Sequence, residues 1–134
     1  MDRVILNKLT SVDRCLTRID EVYTNFETLQ SNYTQQDAII LNIERACQAC
    51  IDAALHFVKV KKLGLPQSSK EAFLLLQQNG IIDTELSKSM QNMVGFRNIA
   101  IHEYQSLNLE ILDSIINTDI VELRTFISVL LKSD

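Results

Sequence analysis

The sequence predicts an all-α fold, an antiparallel bundle of about five helices, and three observations support this prediction. Only three glycines and one proline occur among 134 residues, too few for the many turns of a β-sandwich or barrel. Apolar residues make up 46% of the chain and charged residues 22%, which favours a folded domain over a disordered one. Apolar residues also recur at helical spacing along most of the chain. We therefore expect residues 1–134 to form a single helical domain.

The first predicted helix runs from Asp2 to Gln30. Its apolar residues alternate spacings of four and three without a miss, at Ile5, Leu9, Val12, Leu16, Ile19, Tyr23 and Phe26. The mean spacing of 3.5 residues suits a long helix that packs against a neighbouring helix. Asp2 is a suitable N-cap. The first predicted loop follows at Ser31–Thr34.

The second predicted helix runs from Gln36 to Lys62 and carries a wide apolar face. Three lysines close it, where cations suit the helix C-terminus, and Gly64-Leu65-Pro66 is predicted to stop it. Because these two helices are the longest, they are predicted to form an antiparallel N-terminal hairpin.

A short third helix is predicted from a capping box formed by Ser68 and Glu71, since the N-cap hydroxyl and the carboxylate three residues later satisfy helix N–H groups reciprocally. It is predicted to end at Gln78, where Asn79-Gly80 has the composition of a left-handed C-terminal cap. Asp83 is predicted to begin the fourth helix.

The last helical stretch is predicted from Leu109 to Lys132, with a break near Asn117-Thr118. Asp119 and Glu122 resemble a second capping box after that break. Its four large apolar residues are interpreted as core or as an oligomer contact, at Leu123, Phe126, Ile127 and Leu130.

Arg97 occupies the middle of an apolar stripe on the fourth predicted helix. At 100° per residue, five apolar side chains fall within about 60° of it, at Leu86, Met90, Met93, Val94 and Ile101. An unpaired guanidinium is costly to bury, so either Arg97 is paired or the stripe opens onto an interface or pocket. Asn98 and His102, four residues apart, share one flank of the stripe. Tyr104 returns to the Arg97 face if the helix continues.

From spacing alone, two interpretations stay open. A buried polar network could set the helix register or form a dimer contact, or the guanidinium, amide, imidazole and phenol could form a functional site. Gly95 favours the second interpretation. A glycine inside a helix costs about 1 kcal/mol relative to alanine, which predicts the close approach of another backbone or of a ligand.

The segment from Arg97 to Tyr104 resembles the R-x4-H-x-Y signature of HEPN-domain ribonucleases, and more narrowly the HepT-like toxins encoded beside a minimal nucleotidyltransferase antitoxin. Four further segments resemble this family in the same order, at Leu63–Pro66, Ser69–Phe73, Asn79–Ile82 and Met93–Asn98. The resemblance covers most of the chain after the first helix. It implies a HEPN-like bundle, a homodimer, and metal-free RNA cleavage where two symmetry-related motifs meet. It also implies AMP transfer from the antitoxin to Tyr104.

The chemistry of these residues is consistent with RNA cleavage, in which the 2′-hydroxyl is the nucleophile. An imidazole such as that of His102 can transfer protons near neutral pH. The Arg97 guanidinium stays charged and can bind phosphate oxygens bidentately. We therefore assign Arg97 and His102 as catalytic and Asn98 as supporting. A twofold dimer brings two such histidines together, so base and acid could come from different subunits.

The leading hypothesis is a type VII-like toxin, an endoribonuclease that is neutralised by AMP transfer to Tyr104. The alternative is a non-catalytic, RNA- or nucleotide-binding partner of a nucleotidyltransferase. We expect no cofactor and no metal. The odd number of cysteines (three), the lack of a signal-peptide pattern and the lack of an apolar run near ~20 residues predict a cytoplasmic protein without membrane contact. The net charge of −4 argues against a wholly nucleic-acid-binding surface but not against a local basic site.

Other polar signals have simpler interpretations. Cys47 and Cys50 form a C-x2-C in the middle of an apolar face, and small packing residues fit that context better than a redox or zinc site. Cys15 is interpreted in the same way. His56 is predicted to pair with Asp52 one turn earlier. The lysines at 59, 61 and 62 are interpreted as a solvated helix end, with guidance of RNA phosphates as the alternative.

Overall fold

The computed structural model of the chain describes residues 2–102 and 108–133, and for residues 101 and 102 it describes the backbone alone. Within this part the chain forms seven α-helices and no β-strand. The helices are α1 (Arg3–Val22), α2 (Phe26–Ser31), α3 (Tyr33–Val60), α4 (Ser69–Gln78), α5 (Thr84–His102), α6 (Leu109–Ser114) and α7 (Val121–Lys132). A π-helical turn, Ile115–Asp119, joins α6 to α7. The all-α class is confirmed, and the predicted number of about five helices is too small.

The two longest helices, α1 and α3, form the predicted antiparallel hairpin. Three contacts pair them in opposite order along the chain, with Asp2 against His56 at 2.7 Å, Lys8 against Asp52 at 3.5 Å, and Gln35 Nε2 donating to the Val22 carbonyl at 2.7 Å. As the residue number rises along α1, the partner number falls along α3. The hairpin is therefore fixed along its whole length.

The first predicted helix is broken in the structure, so the prediction of one helix from Asp2 to Gln30 is wrong. Tyr23 leaves helical geometry at ψ 132°, and Asn25 caps α2 by accepting from the Thr28 N–H at 2.8 Å. The Tyr23 hydroxyl donates to the Asp113 carboxylate on α6. The predicted loop at Ser31–Thr34 shrinks to Asn32, which separates α2 from α3 and caps α3.

The end of α3 also differs from its prediction. The helix ends at Val60, before the predicted stop at Gly64-Leu65-Pro66, because Lys62 adopts a left-handed conformation at φ 55°. The Leu63 N–H then donates back to the Val58 carbonyl at 3.0 Å. These are the bonds of a Schellman C-cap, here formed by a lysine in place of the usual glycine.

The caps at Ser68, Gly80 and Asp83 are confirmed, but among the described residues the Glu71 carboxylate forms no return bond to the Ser68 N–H. The Ser68 hydroxyl accepts from the Glu71 N–H at 3.1 Å, and Gly80 takes φ 73° just after α4, a region that suits glycine. The Asp83 carboxylate accepts from the Leu86 N–H at 2.7 Å. Local capping chemistry therefore places the start of α5, the helix that carries Arg97.

The predicted break near Asn117-Thr118 is confirmed, but the second capping box is wrong. Asp119 lies inside the π-helical turn, since the Ile120 N–H donates to the Ile115 carbonyl at 3.1 Å and the backbone keeps winding. Ile120 occupies the N-cap position of α7 without a side-chain hydrogen bond. Asp119 therefore precedes the position that a cap would need.

The hydrophobic core is one continuous cluster to which all seven helices contribute. Phe73 of α4 and Phe126 of α7 meet edge to face at its centre, with ring centroids 5.2 Å apart, a favoured aromatic geometry. No helix in the described ranges is both long and apolar enough to cross a membrane.

Candidate functional site

The apolar stripe around Arg97 is present on α5 as predicted. The four stripe residues with described side chains are all buried, at Leu86, Met90, Met93 and Val94. Phe96 and Ala100 on the same helix are buried as well. Arg97 is half-buried between them. The stripe faces the protein interior along most of α5, and Arg97 is the position where a charged group interrupts it.

The Arg97 guanidinium is only weakly satisfied by the residues that the structure describes. Its Nε is buried and has no hydrogen-bond partner within residues 2–102 and 108–133. Its Nη1 donates to the Asn98 Oδ1 at the long distance of 3.5 Å. Over the same residues it forms no ion pair with a carboxylate. The sequence left two alternatives for Arg97, a paired side chain or one that faces an interface or pocket. The missing partners favour the second alternative.

A buried thiol of α3 lies within the field of Arg97. Burial raises the pKa of the Cys47 thiol to about 12, and the Arg97 guanidinium partly opposes that rise, while Glu44 and Cys15 add to it. Arg97 therefore extends its positive potential toward the middle of α3. Because the thiol of Cys47 stays protonated at neutral pH, it does not neutralise the guanidinium.

The structure brings together only part of the predicted site. Asn98 is exposed beside Arg97, in contact through the 3.5 Å hydrogen bond. His102 is the last residue of α5, one helical turn past Asn98, and its imidazole is outside the described part. Tyr104 lies outside the described residues altogether. The backbone thus places His102 and Arg97 on one helical end, as the sequence indicates.

Gly95 does not serve the packing of this chain. A Cβ added there would meet only the Lys70 Nζ, at 3.9 Å, so the predicted approach of a second backbone does not occur among the described residues. Gly95 instead borders an open cavity of about 410 Å³ between α5 and the α6 region, whose apolar lining includes Phe96, Ile99 and Ile111. Gly95 itself lies about 160° around α5 from Arg97, and the cavity also reaches Met93 of the apolar stripe.

His56 has a different partner from the one predicted. Its Nε2 lies 2.7 Å from the Asp2 Oδ2, whereas Asp52 accepts from Lys8 at 3.5 Å and from Gln48 at 2.8 Å. The bond to His56 lowers the pKa of the Asp2 carboxyl, and the Ile5 and Val4 N–H groups lower it further. The α1 N-terminus lies across α3 at this point, and no sequence spacing could have revealed that contact.

The cysteines are packing residues, as predicted. Cys15, Cys47 and Cys50 are all buried and free, and burial raises the pKa of Cys50 well above its ordinary value. The Cys50 thiol donates to the Leu123 carbonyl at 3.6 Å. The described residues contain no cluster of three histidine, cysteine or acidic side chains that could hold a metal ion.

Comparisons with known proteins agree with this architecture. The chain matches the family model of HepT-like ribonucleases over residues 12–130. It is 42% identical to an mRNA nuclease HepT of Shewanella oneidensis over 130 residues, 97% of this chain and 98% of that protein. It superposes on a toxin–antitoxin crystal structure with AMP-PNP at a TM-score of 0.92, with 42% identity over 97% of this chain and 99% of the other. A tri-AMPylated Shewanella oneidensis HEPN toxin in complex with MNT antitoxin gives a TM-score of 0.93 and 41% identity, covering 100% of both chains.

Proposed function

The chain belongs to the HepT-like ribonuclease family, and we propose that it is an endoribonuclease toxin paired with a nucleotidyltransferase antitoxin. The observation that carries the proposal is Arg97, a half-buried cation whose Nε lacks a partner within the described chain. Burying such a group without a hydrogen bond costs free energy, which a bound ligand or a second chain would offset. The relatives support the same function, since one is an mRNA nuclease and another is a HEPN toxin in complex with MNT antitoxin.

In the proposed reaction, the 2′-hydroxyl of the RNA attacks the adjacent phosphorus. One imidazole takes the hydroxyl proton, and the bond to the 5′-oxygen breaks as a second acid protonates that oxygen. The products are a 2′,3′-cyclic phosphate and a free 5′-hydroxyl. Arg97 binds the non-bridging oxygens and stabilises the extra negative charge of the phosphorane. No step requires a metal ion or a cofactor.

We assign both proton transfers to His102. Each chain has a single motif histidine, so a base and an acid require two chains. A homodimer that joins the Arg97 ends of two α5 helices supplies both imidazoles and both guanidiniums to one composite site. Light scattering at micromolar concentration should give the dimer mass, and a monomer that still cleaves RNA would contradict the composite site. RNA as substrate also implies a cytoplasmic location.

The proposed off-switch is AMP transfer from ATP to the Tyr104 phenol by the antitoxin. The phenol oxygen attacks the α-phosphorus and pyrophosphate leaves, so the tyrosine gains one negatively charged phosphodiester. Arg97 is the motif cation available to pair with that charge. The adduct would then occupy the phosphate site and exclude RNA by bulk and by like charge.

The decisive experiment incubates the purified protein with fluorescently labelled RNA in the presence of EDTA. We expect cleavage by the wild type and a reduction of at least about 100-fold in His102→Ala, since general acid–base catalysis typically contributes that much or more. His56→Gln is the matched control, because it removes the only other histidine of the chain and should cleave normally.

Two outcomes would overturn parts of the proposal. RNA binding without cleavage by the wild type would establish the non-catalytic binding partner instead. Cleavage that disappears in EDTA and returns with added divalent metal would contradict the metal-independent mechanism.

A further inference from the structure

A polar cleft of about 410 Å³ lies between α1 and α3. Each helix lines it with residues spaced three apart, Lys8, Ser11 and Arg14 on α1 and Asn42, Arg45 and Gln48 on α3. Residues three apart are neighbours on a helix surface, so each helix presents one polar row. The antiparallel hairpin brings the two rows face to face. Sequence spacing does not pair these residues, because the two rows lie far apart in the sequence, at residues 8–14 and 42–48.

The cations of this cleft are only partly neutralised. Asp52 is its one acidic lining residue, and it is engaged by Lys8 at 3.5 Å and by Gln48 at 2.8 Å. Arg14 and Arg45 form no ion pair within the described ranges. Arg18, one turn further along α1, pairs with Glu21 at 3.7 Å. Two uncompensated guanidiniums therefore converge on one cleft of a chain whose net charge is −4.

Both guanidiniums act on the same residue of the cleft. Burial raises the pKa of the Cys15 thiol, and Arg45 and Arg14 oppose that rise. Cys15 in turn influences Cys47, the thiol that also feels Arg97. The cleft arginines therefore act on Cys15 and Arg97 acts on Cys47, two buried thiols that interact with each other.

We propose that Arg14 and Arg45 bind an RNA phosphodiester group in the α1–α3 cleft, away from the scissile bond. Guanidinium groups bind phosphate oxygens bidentately, and the cleft leaves both of them available. Protein interfaces instead favour apolar and aromatic residues at their centre, and this cleft has none of the large ones. This inference rests on the proposed ribonuclease function and adds a second contact to its substrate.

The cleft should therefore contribute to RNA binding and not to the chemical step. Because Arg14 and Arg45 are exposed and form no ion pair among the described residues, their removal should leave the melting temperature unchanged. RNA long enough to reach both Arg97 and the cleft should bind more tightly than a dinucleotide. These expectations separate a substrate-binding role from a structural one.

The test measures binding of labelled single-stranded RNA to His102→Ala protein, with and without Arg14→Gln and Arg45→Gln. Each cleft variant should weaken binding several-fold. It should also reduce the slope of log K against log salt concentration by ~0.7 for each RNA phosphate that the variant no longer binds. Arg18→Gln is the matched control, an arginine of the same helix that is already paired, and it should leave the slope unchanged.

A kinetic arm uses protein with His102 intact. The cleft variants should raise KM for long RNA and leave kcat for long RNA and the cleavage of a dinucleotide unchanged. A fall in dinucleotide cleavage would contradict the proposal, as would an equal decrease of the salt slope in Arg18→Gln. If the wild type neither binds nor cleaves RNA, the proposed function fails too. If RNA binds normally to the cleft variants, only this inference fails.

Two other ligands are distinguished by parallel measurements. Weaker antitoxin binding by the cleft variants with unchanged RNA affinity would make the cleft a protein-binding site. Binding of free ATP that depends on Arg14 and Arg45, again with unchanged RNA affinity, would make it a nucleotide site. Either result would overturn the assignment to RNA.

Discussion

Two half-buried side chains with nitrogen donors, His56 on α3 and Arg97 on α5, differ in the hydrogen-bond partners that the fold provides. The His56 imidazole lies 2.7 Å from the Asp2 carboxylate, which also caps α1. The Arg97 guanidinium has a buried Nε without a partner in the described chain and only a 3.5 Å bond to Asn98. One polar group is satisfied by a distant residue of its own chain, and the Nε of the other has no partner among the described residues.

The difference separates a structural polar group from a functional one. A polar group that stabilises the fold finds its partner when the chain folds, because an unsatisfied buried donor costs about 1–3 kcal/mol. A group that binds a ligand must stay unsatisfied until the ligand arrives. Arg14 and Arg45 in the α1–α3 cleft are exposed and form no ion pair among the described residues, whereas Arg18 and Arg124 form ion pairs with Glu21 and Asp13.

The largest expected effect comes from Arg97→Ala. We expect RNA cleavage to fall by at least about 100-fold, the usual cost of removing a group that stabilises transition-state charge. The melting temperature should stay the same or rise, because the substitution removes a buried unsatisfied N–H. Arg97→Lys keeps the positive charge but lacks the planar guanidinium that binds phosphate oxygens bidentately. It should therefore retain only part of the wild-type activity. If Arg97→Ala unfolds, Arg97 is a structural group like His56, and the distinction drawn between these two residues is wrong.

The second prediction concerns Tyr104. Intact-mass measurement after incubation with the antitoxin and ATP should show added AMP on the wild type and none on Tyr104→Phe. Tyr33→Phe is the matched control, because Tyr33 is 78% exposed on α3 and should not affect labelling. Equal labelling of Tyr104→Phe would exclude this tyrosine, and labelled protein that still cuts RNA would disprove the off-switch. Absence of labelling in Arg97→Ala would support the proposed role of Arg97 in binding the phosphate of the AMP group.

A smaller effect is expected from Asp2→Asn, which tests the contact between Asp2 and His56. Asparagine still caps α1 but lacks the charge that faces His56. Because the pKa of Asp2 is lowered in the folded state from its ordinary 3.8, its contribution to stability is present above that value. It is lost as the pH falls through the lowered pKa. Asp2→Asn should therefore melt below the wild type at about pH 5 and approach it at lower pH. Thermal melts across that range test this, and a constant difference would contradict it.

The smallest expected effect is that of Gly95→Ala. A Cβ at this position meets only the Lys70 Nζ at 3.9 Å, so the helix propensity of alanine should raise stability by up to about 1 kcal/mol. Cleavage should be unchanged, because the added methyl group meets no other described atom within 4 Å. Urea unfolding and the RNA cleavage assay measure the two quantities. Reduced cleavage would assign the neighbouring cavity a role in substrate or partner binding.

The helix boundaries show which features of the fold can be predicted from the sequence. Ser68, Gly80 and Asp83 form the caps predicted for them because capping depends on residues within one turn. The break at Tyr23 was missed since the apolar spacing continues through it, and both Tyr23 and Phe26 still pack against the core. Asp119 failed as a cap because it is the last residue of a π-helical turn that leads directly into α7. Apolar spacing reports which residues are buried and not whether the backbone is continuous.

In the candidate site, too, the sequence predicts features set by neighbouring residues and misses a contact between distant ones. The sequence placed Arg97 in the middle of an apolar stripe and Asn98 beside it, and the structure confirms both. It assigned His56 to Asp52, and the structure gives it Asp2, 54 positions away. The roles of His102 and Tyr104 remain predictions that the experiments above test.

The sequence by itself determined the helical class, the hairpin of α1 and α3, and the position of Arg97 on its helix. These properties depend on residues a few positions apart, and the fixed 100° turn of a helix converts such spacing into geometry. Only the tertiary structure decided that Asp2 satisfies His56, that the Arg97 Nε has no partner among the described residues, and that Arg14 and Arg45 line one cleft. Those facts depend on which distant helices pack together, and packing is set by the shapes of whole buried faces rather than by any local pattern.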